Sequence, residues 1–186
     1  MLGSMKNTMN KVRDFLRWES LLCEEQKEQL KRVECPAKMW GKPVPSLNEL
    51  TLEELAQLWD VTNTPALFYA IGRILFGKGE RAVNRADTLA FVGVVNRVAE
   101  EVQRINALWE AIPTYHSPEE VQAGCNALKF GIFGIADWYA RRMGMHDHDE
   151  AFATKWMRIY QCMRNDAEEA AYRRRLNDII VNKSKR

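Results

Sequence analysis

Apolar residues recur about every 3.6 positions along most of the chain, which is the spacing of one buried face of an α-helix. The pattern is longest across residues 85–112, where it predicts one long helix that ends before Pro113. Its apolar positions are Leu89, Val92, Val95, Val98, Val102, Ile105, Leu108 and Trp109. A more polar pattern across residues 11–33 predicts one or two helices that end before Pro36.

Other helix boundaries are marked by capping residues, whose side chains accept hydrogen bonds from free amides at helix starts. The predicted starts are Thr51, Thr64, Ser117, Asp147 and Thr154, and the predicted ends are Gly77 and Gly144. The last helix is predicted to run from Lys155 to about Val181. Residues 39–45 contain two prolines and a glycine within five positions, which predicts a loop. Alternation of the kind that marks β-hairpins is not seen.

These elements predict an all-α protein, a compact multi-helix domain of about seven helices with an N-terminal helical appendage. We expect residues 1–46 to hold the N-terminal helix or helices and a proline-rich loop. Residues 47–182 are predicted to form the compact helical domain, and residues 183–186 a basic tail. A chain of 186 residues is long enough to bury a sizeable core without disulfides or metals.

The amino-acid composition is that of a globular protein. Hydrophobic residues make up 46% of the chain and charged residues 28%, which argues against intrinsic disorder. The four cysteines are dispersed and form no C-x-x-C pair, which favours small buried side chains in a reducing compartment. No leader peptide or apolar run of membrane-spanning length is present, so we expect a cytoplasmic protein without membrane contact.

Candidate catalytic chemistry is sparse. His146 and His148 are two residues apart and so do not share a helical face, and we expect a polar turn in which Asp147 or Asp149 caps a helix. The glycines at Gly77 and Gly79 follow a predicted helix and lack the phosphate-loop pattern. No serine lies in a G-x-S-x-G setting. The sequence therefore predicts a non-enzymatic protein with no cofactor and no metal.

Residues 129–176 are rich in tryptophan, tyrosine, methionine and arginine, as protein-binding surfaces tend to be. The same composition also suits the core of a small helical domain, and both interpretations remain open at this stage. If the segment forms an interface, its predicted partner-binding residues are Trp138, Tyr139, Arg141, Arg142, Met145, Trp156 and Tyr160.

The C-terminal third is more basic than the rest, since residues 141–186 contain 11 basic and 7 acidic residues while the whole chain has a net charge of only +2. An alternative function is therefore nucleic-acid association, as a phage regulatory protein. Its candidate residues are Arg173, Arg174, Arg175, Lys183 and Lys185. The acidic residues Asp166, Glu168 and Glu169 interrupt this basic region, and helix-end lysine and arginine also serve to complement the helix dipole.

Several segments resemble the tail assembly chaperones of long-tailed phages and prophages, over about residues 47–176. They are LTLEELAQLWD (residues 50–60), ILFG (74–77), VNRVAEEVQRINALW (95–109), FGIFGIADWYARRMG (130–144) and IYQCM (159–163). The resemblance implies a non-enzymatic factor in the host cytoplasm that binds the tape-measure protein, keeps its helices soluble and helps tail-tube protein to polymerise. It brings no catalytic residues. A structural virion ring or connector subunit is a further alternative, and an oligomer is possible under each.

Overall fold

The computed structural model describes residues 10–184, apart from the side chain of Asn126, and is 71% helical. Ten α-helices lie within this described range, seven of them with seven residues or more, so the all-α prediction is confirmed. They are α1 (Val12–Trp18), α2 (Glu24–Lys31), α3 (Leu52–Trp59), α4 (Thr64–Phe76), α5 (Glu80–Asn84), α6 (Thr88–Glu110), α7 (Pro118–Gln122), α8 (Gly131–Met143), α9 (His148–Phe152) and α10 (Trp156–Ser184). Three single-turn 3₁₀ helices lie at Glu19–Leu21, Leu47–Glu49 and Cys125–Ala127.

The helices form two compact units. Unit 1 contains the described part of residues 1–47 together with residues 54–104, and unit 2 contains residues 48–53 with the described part of residues 105–186. The boundary predicted at residue 46 does not coincide with this division, because α3 and α6 each contribute residues to both units. Local patterns mark where helices start and stop, whereas the grouping of helices depends on contacts between distant segments.

The core of unit 1 is built around aromatic side chains. Phe68 lies between Phe15 and Phe91, with ring centroids 5.6 and 5.2 Å away. The N-terminal helix that was predicted as an appendage is α1, and it contributes Val12 and Phe15 to this core. Val12 also donates its amide to the Ala86 carbonyl (3.1 Å), which fixes the start of α1.

A six-residue hairpin lies where a loop was predicted. Strands β1 (Lys38–Met39) and β2 (Lys42–Pro43) pair antiparallel through a two-residue turn at Trp40 and Gly41. Both turn residues have positive φ (50° and 77°), the geometry of a type I′ turn. Tryptophan rarely adopts a positive φ, so the sequence of the turn does not match the residue pairs that usually predict a hairpin. Its ring packs edge-on against Phe76 and Phe91, at 5.2 and 5.7 Å, and this packing offsets the local strain.

Unit 2 is organised around its longest helix, α10. Residues 48–53 pair with the turn before α10, since the Leu52 amide donates to the Thr154 carbonyl (2.9 Å) and the Trp156 amide donates to the Leu50 carbonyl (3.1 Å). The first two turns of α10 bury Trp156, Ile159 and Tyr160. Trp156 and Tyr160 both pack against Trp109, at 6.4 and 5.5 Å between ring centroids. This aromatic group forms part of the core of the unit.

Most capping predictions are confirmed, and the exceptions have local causes. Ser117 and Asp147 cap helices as expected, and Gly77 and Gly144 end helices with φ of 62° and 68°. The cap of α4 is Asn63 rather than Thr64, because the Asn63 side chain accepts the Ala66 amide at 2.9 Å.

The last helix also starts differently from the prediction. Thr154 does not cap α10, because its hydroxyl donates to the Glu150 carbonyl of the preceding turn at 2.9 Å. The helix begins at Trp156 and continues to Ser184, three residues beyond the predicted end at Val181.

The long helix predicted at residues 85–112 is one continuous helix, α6, which begins three residues later and ends two residues earlier than predicted. α6 begins only at Thr88, and Asp87 accepts the Ala90 amide at 2.9 Å in the manner of an N-cap. Residues 80–84 form the separate short helix α5. The apolar positions that predicted this helix, from Leu89 to Trp109, all lie within α6.

Candidate protein-binding surface

Three of the predicted partner-binding residues lie in the core of unit 2. Trp156 and Tyr139 are 0% exposed and Tyr160 is 9% exposed. Their side chains cannot contact another protein while the unit is folded, so their expected role as partner contacts is corrected to a role in core packing. Trp156 meets Trp109 and Tyr160, and Tyr139 lies beside Trp138 at 6.4 Å between ring centroids.

Arg142 connects two helices of the unit. Its Nε donates to Asp166 Oδ2 at 2.8 Å and its Nη2 donates to Asp166 Oδ1 at 3.0 Å, which is a two-point pairing of guanidinium and carboxylate between α8 and α10. The hydrogen bond that Arg142 donates to the Asp166 carboxylate raises the pKa of Arg142. The guanidinium carbon also lies 6.0 Å from the centre of the half-buried Trp138 ring. Arg142 and Trp138 therefore fix how α8 lies on α10 and offer only part of their surface to a partner.

The two remaining predicted contacts lie at the surface. Arg141 is highly exposed and forms an ion pair with Asp137 one turn earlier on α8. Met145 is half-buried just after α8, where its amide donates to the Ala140 carbonyl at 2.9 Å. Of the predicted set, Arg141 has the side chain most accessible to another molecule.

Asp137 is shared between a histidine and an arginine. His148 Nε2 lies 3.1 Å from Asp137 Oδ1, and Arg141 pairs with the other carboxylate oxygen. The hydrogen bond to His148, followed by that to Arg141, lowers the pKa of Asp137. The histidine ring packs against Phe133 at 4.9 Å between centroids. No group of three or more histidine, cysteine or acidic side chains within residues 10–184 is arranged to hold a metal ion.

The largest exposed aromatic side chains near this cluster were not among the predicted contacts. Phe130 is 70% exposed and Phe133 is 55% exposed, and both lie at the start of α8. Gly134 allows this arrangement, since a Cβ atom there would lie 2.4 Å from the Cβ of Phe130. Phe130, Phe133, Asp137 and Arg141 follow one side of the helix, at spacings of three and four residues. We call these four residues the α8 outer face.

Exposed apolar side chains are concentrated in unit 2. Of the thirteen large hydrophobic residues that are exposed within the described chain, eleven belong to this unit. They are Tyr115, Val121, Leu128, Phe130, Phe133, Met143, Tyr172, Leu176, Ile179, Ile180 and Val181. Scattered single side chains of this kind are ordinary, but contiguous groups tend to mark interaction surfaces.

The basic residues proposed for nucleic-acid contact are largely engaged within the chain. Arg173 pairs with Glu169 at 2.5 Å, and the guanidinium carbon of Arg174 lies 4.5 Å from the centre of the Tyr115 ring. Arg175 and Lys183 are exposed on α10, and Lys185 lies outside the described residues. Of the four proposed residues that the structure describes, Arg173 and Arg174 are therefore less available to neutralise phosphates than Arg175 and Lys183.

No protein-family model, curated protein or solved structure matches this chain. None of the helices within residues 10–184 has the length and apolar character needed to cross a membrane.

Proposed function

We propose that this chain is a non-enzymatic protein-binding factor whose unit 2 holds a helical client against the α8 outer face. The observation that carries the proposal is the exposure of Phe130 and Phe133, two phenylalanines one helical turn apart. Because the two phenylalanine rings are only partly exposed, each forgoes about 1–2 kcal/mol of burial free energy. A client that covers them recovers this free energy.

The surroundings of the two rings suit a helical client. A partner helix presents apolar side chains at spacings of three and four residues, which matches the spacing of Phe130, Phe133 and the residues that follow them on α8. The Asp137–Arg141 pair continues the same face and supplies polar contacts at its edge. An apolar centre with a charged rim is the usual composition of a transient protein interface.

Tail assembly chaperones, which this chain resembles, bind the tape-measure protein of a long-tailed phage. This protein is therefore the first client to test. Such a client is a long helical chain whose apolar stripe needs cover before the tail assembles around it. We infer that the α8 outer face provides this cover and that the chain acts in the host cytoplasm. The buried tryptophan and tyrosine residues of unit 2 then position the surface and do not touch the client.

The test is co-expression with a helical segment of a tape-measure protein. We expect the wild-type chain to increase the soluble yield of the segment and to bind it in a pull-down, and the Phe130→Ser/Phe133→Ser variant to lose most of both effects. The matched control is Leu21→Ser in unit 1, since Leu21 is also about 70% exposed. Circular dichroism must show that all three proteins have equal helix content.

Two results would contradict the proposal. One is a wild-type chain that neither binds nor solubilises the segment. The other is a double variant that performs as well as the wild type, because the client would then not lie on the α8 outer face.

A further inference from the structure

A second apolar surface lies on the C-terminal half of α10, apart from the α8 outer face in sequence. Tyr172, Leu176, Ile179 and Ile180 are all exposed there. At about 100° per residue, the first three of these lie within about 60° of one another around the helix, and Ile180 flanks them. We call these four residues the α10 stripe.

The stripe faces away from the body of unit 2. The buried residues Trp156, Ile159 and Tyr160 attach the beginning of α10 to the unit. Further along, Arg174 contacts the ring of Tyr115, and Arg174 lies about 160° around the helix from Tyr172. At Arg174 the helix therefore contacts its own unit through one side, and the α10 stripe lies on the opposite side.

Charged residues at the two ends of the stripe indicate what covers it. Glu169 lies seven residues before Leu176, and Lys183 lies seven residues after it. If two copies of α10 pair antiparallel about Leu176, Glu169 of each copy meets Lys183 of the other, and Tyr172 meets Ile180. A parallel pair would instead place Glu169 against Glu169 and Lys183 against Lys183, which is repulsive.

We propose that the chain forms an antiparallel homodimer through the α10 stripe, centred on Leu176. Glu169 already pairs with Arg173 on its own helix, but both side chains are exposed, and such a pair is held weakly enough for Glu169 to contact the second copy as well. The dimer buries the only long apolar stripe that α10 leaves exposed between Trp156 and Ser184.

The size of the interface sets its strength. The segment from Glu169 to Lys183 is about 21 Å long at 1.5 Å per residue. Two helices that pair over this length bury less than the roughly 800 Å² per partner of a standard interface. We therefore expect a dimer that exchanges with monomer, with a Kd on the order of 10 µM.

Sedimentation velocity of the full chain, from about 1 to about 300 µM, brackets this Kd. The wild type is expected to shift from monomer to dimer across that range. Leu176→Asp is expected to remain monomeric throughout, and Leu176→Ala to weaken the dimer about tenfold. Val181→Asp is the matched control, because Val181 is also about half exposed but lies about 180° around the helix from Tyr172. It is expected to dimerise as the wild type does.

A charge exchange tests the orientation of the two helices. In the antiparallel dimer, Glu169→Lys and Lys183→Glu each place like charges together and weaken association, whereas the double variant restores it. In a parallel dimer each single variant leaves the existing repulsion in place, and the double variant gains nothing over either. Recovery in the double variant supports the antiparallel pair, and its absence overturns it.

The dimer is measured on the chain alone, so its failure is distinct from failure of the proposed client binding. A wild type that stays monomeric to about 300 µM overturns the dimer. If such a monomer also loses client binding through Leu176→Asp, the stripe belongs to the client and not to a second copy. A dimer that Val181→Asp disrupts as strongly as Leu176→Asp overturns the assignment of the face.

Discussion

The hydroxyl group of Tyr139 is a buried polar atom with no hydrogen-bond partner within the described residues. Burying such a group costs about 1–3 kcal/mol, so removing it should not destabilise the protein. We expect Tyr139→Phe to leave the free energy of unfolding unchanged or to raise it by about 1 kcal/mol. Tyr139→Ala should lower it by about 3–5 kcal/mol, because it removes a fully buried ring.

Urea unfolding followed by circular dichroism measures both changes. The alanine variant is the internal control, since it shows that the site is as closely packed as its burial indicates. A loss greater than about 1 kcal/mol in Tyr139→Phe would mean that the hydroxyl group is hydrogen-bonded after all. Tyr139 would then belong to a polar network in unit 2 and not only to its apolar packing.

At the scale of elements, α6 holds the segment that follows α2 in unit 1. Asn96 donates from Nδ2 to the carbonyl oxygens of Leu30 and Val33, at 2.8 and 3.1 Å, and so satisfies the end of α2. One turn earlier, Gly93 allows the backbone of Glu34 to approach, since a Cβ atom at Gly93 would lie 2.1 Å from the Glu34 carbonyl oxygen. A glycine in the middle of a long helix therefore has a packing role.

This contact predicts that replacing Gly93 with alanine destabilises the protein, which is the opposite of the usual effect of such a substitution in a helix. Replacing a mid-helix glycine with alanine ordinarily stabilises by about 0.5–1 kcal/mol, but Gly93→Ala should destabilise by about 1–3 kcal/mol because it collides with backbone. Asn96→Ala should lower the free energy of unfolding by about 1–3 kcal/mol. Asn106→Ala, on the exposed side of α6, is the control and should change it by less than about 0.5 kcal/mol. Thermal unfolding compares the three. A stabilised Gly93→Ala would show that α6 and this segment do not touch.

At the scale of elements, the sequence predicted the type and most ends of the helices but not which side of a helix is buried. Helix type and most boundaries were predictable because periodicity and capping are local properties, as at Ser117 and Gly144. The side of α8 that meets the unit was not predictable, because aromatic residues occur all around this helix. Periodicity thus could not distinguish buried Tyr139 from exposed Phe133, and the predicted site named the first and omitted the second.

At the scale of the whole molecule, basic and acidic residues are nearly balanced in number. The chain has 27 basic and 25 acidic residues, and α10 alone has six basic and four acidic residues. Arg142, Arg164 and Arg173 each pair with a carboxylate of α10. Pairing of this kind makes these three arginines less available to displace counterions from a nucleic acid.

The dependence of DNA binding on salt concentration measures how many of these cations contact phosphates. If Arg175 and Lys183 are the main phosphate contacts, the plot of log K against log salt concentration should have a slope of about −2 or flatter. Glu168→Lys/Glu169→Lys removes the carboxylates that hold Arg164 and Arg173 and adds two cations, so its slope should steepen to about −4 or beyond. Fluorescence anisotropy with a duplex at several salt concentrations measures both slopes. A wild-type slope as steep as that of the double variant would mean that the intrahelical ion pairs open readily, and the C-terminal third would then have to be treated as a nucleic-acid surface.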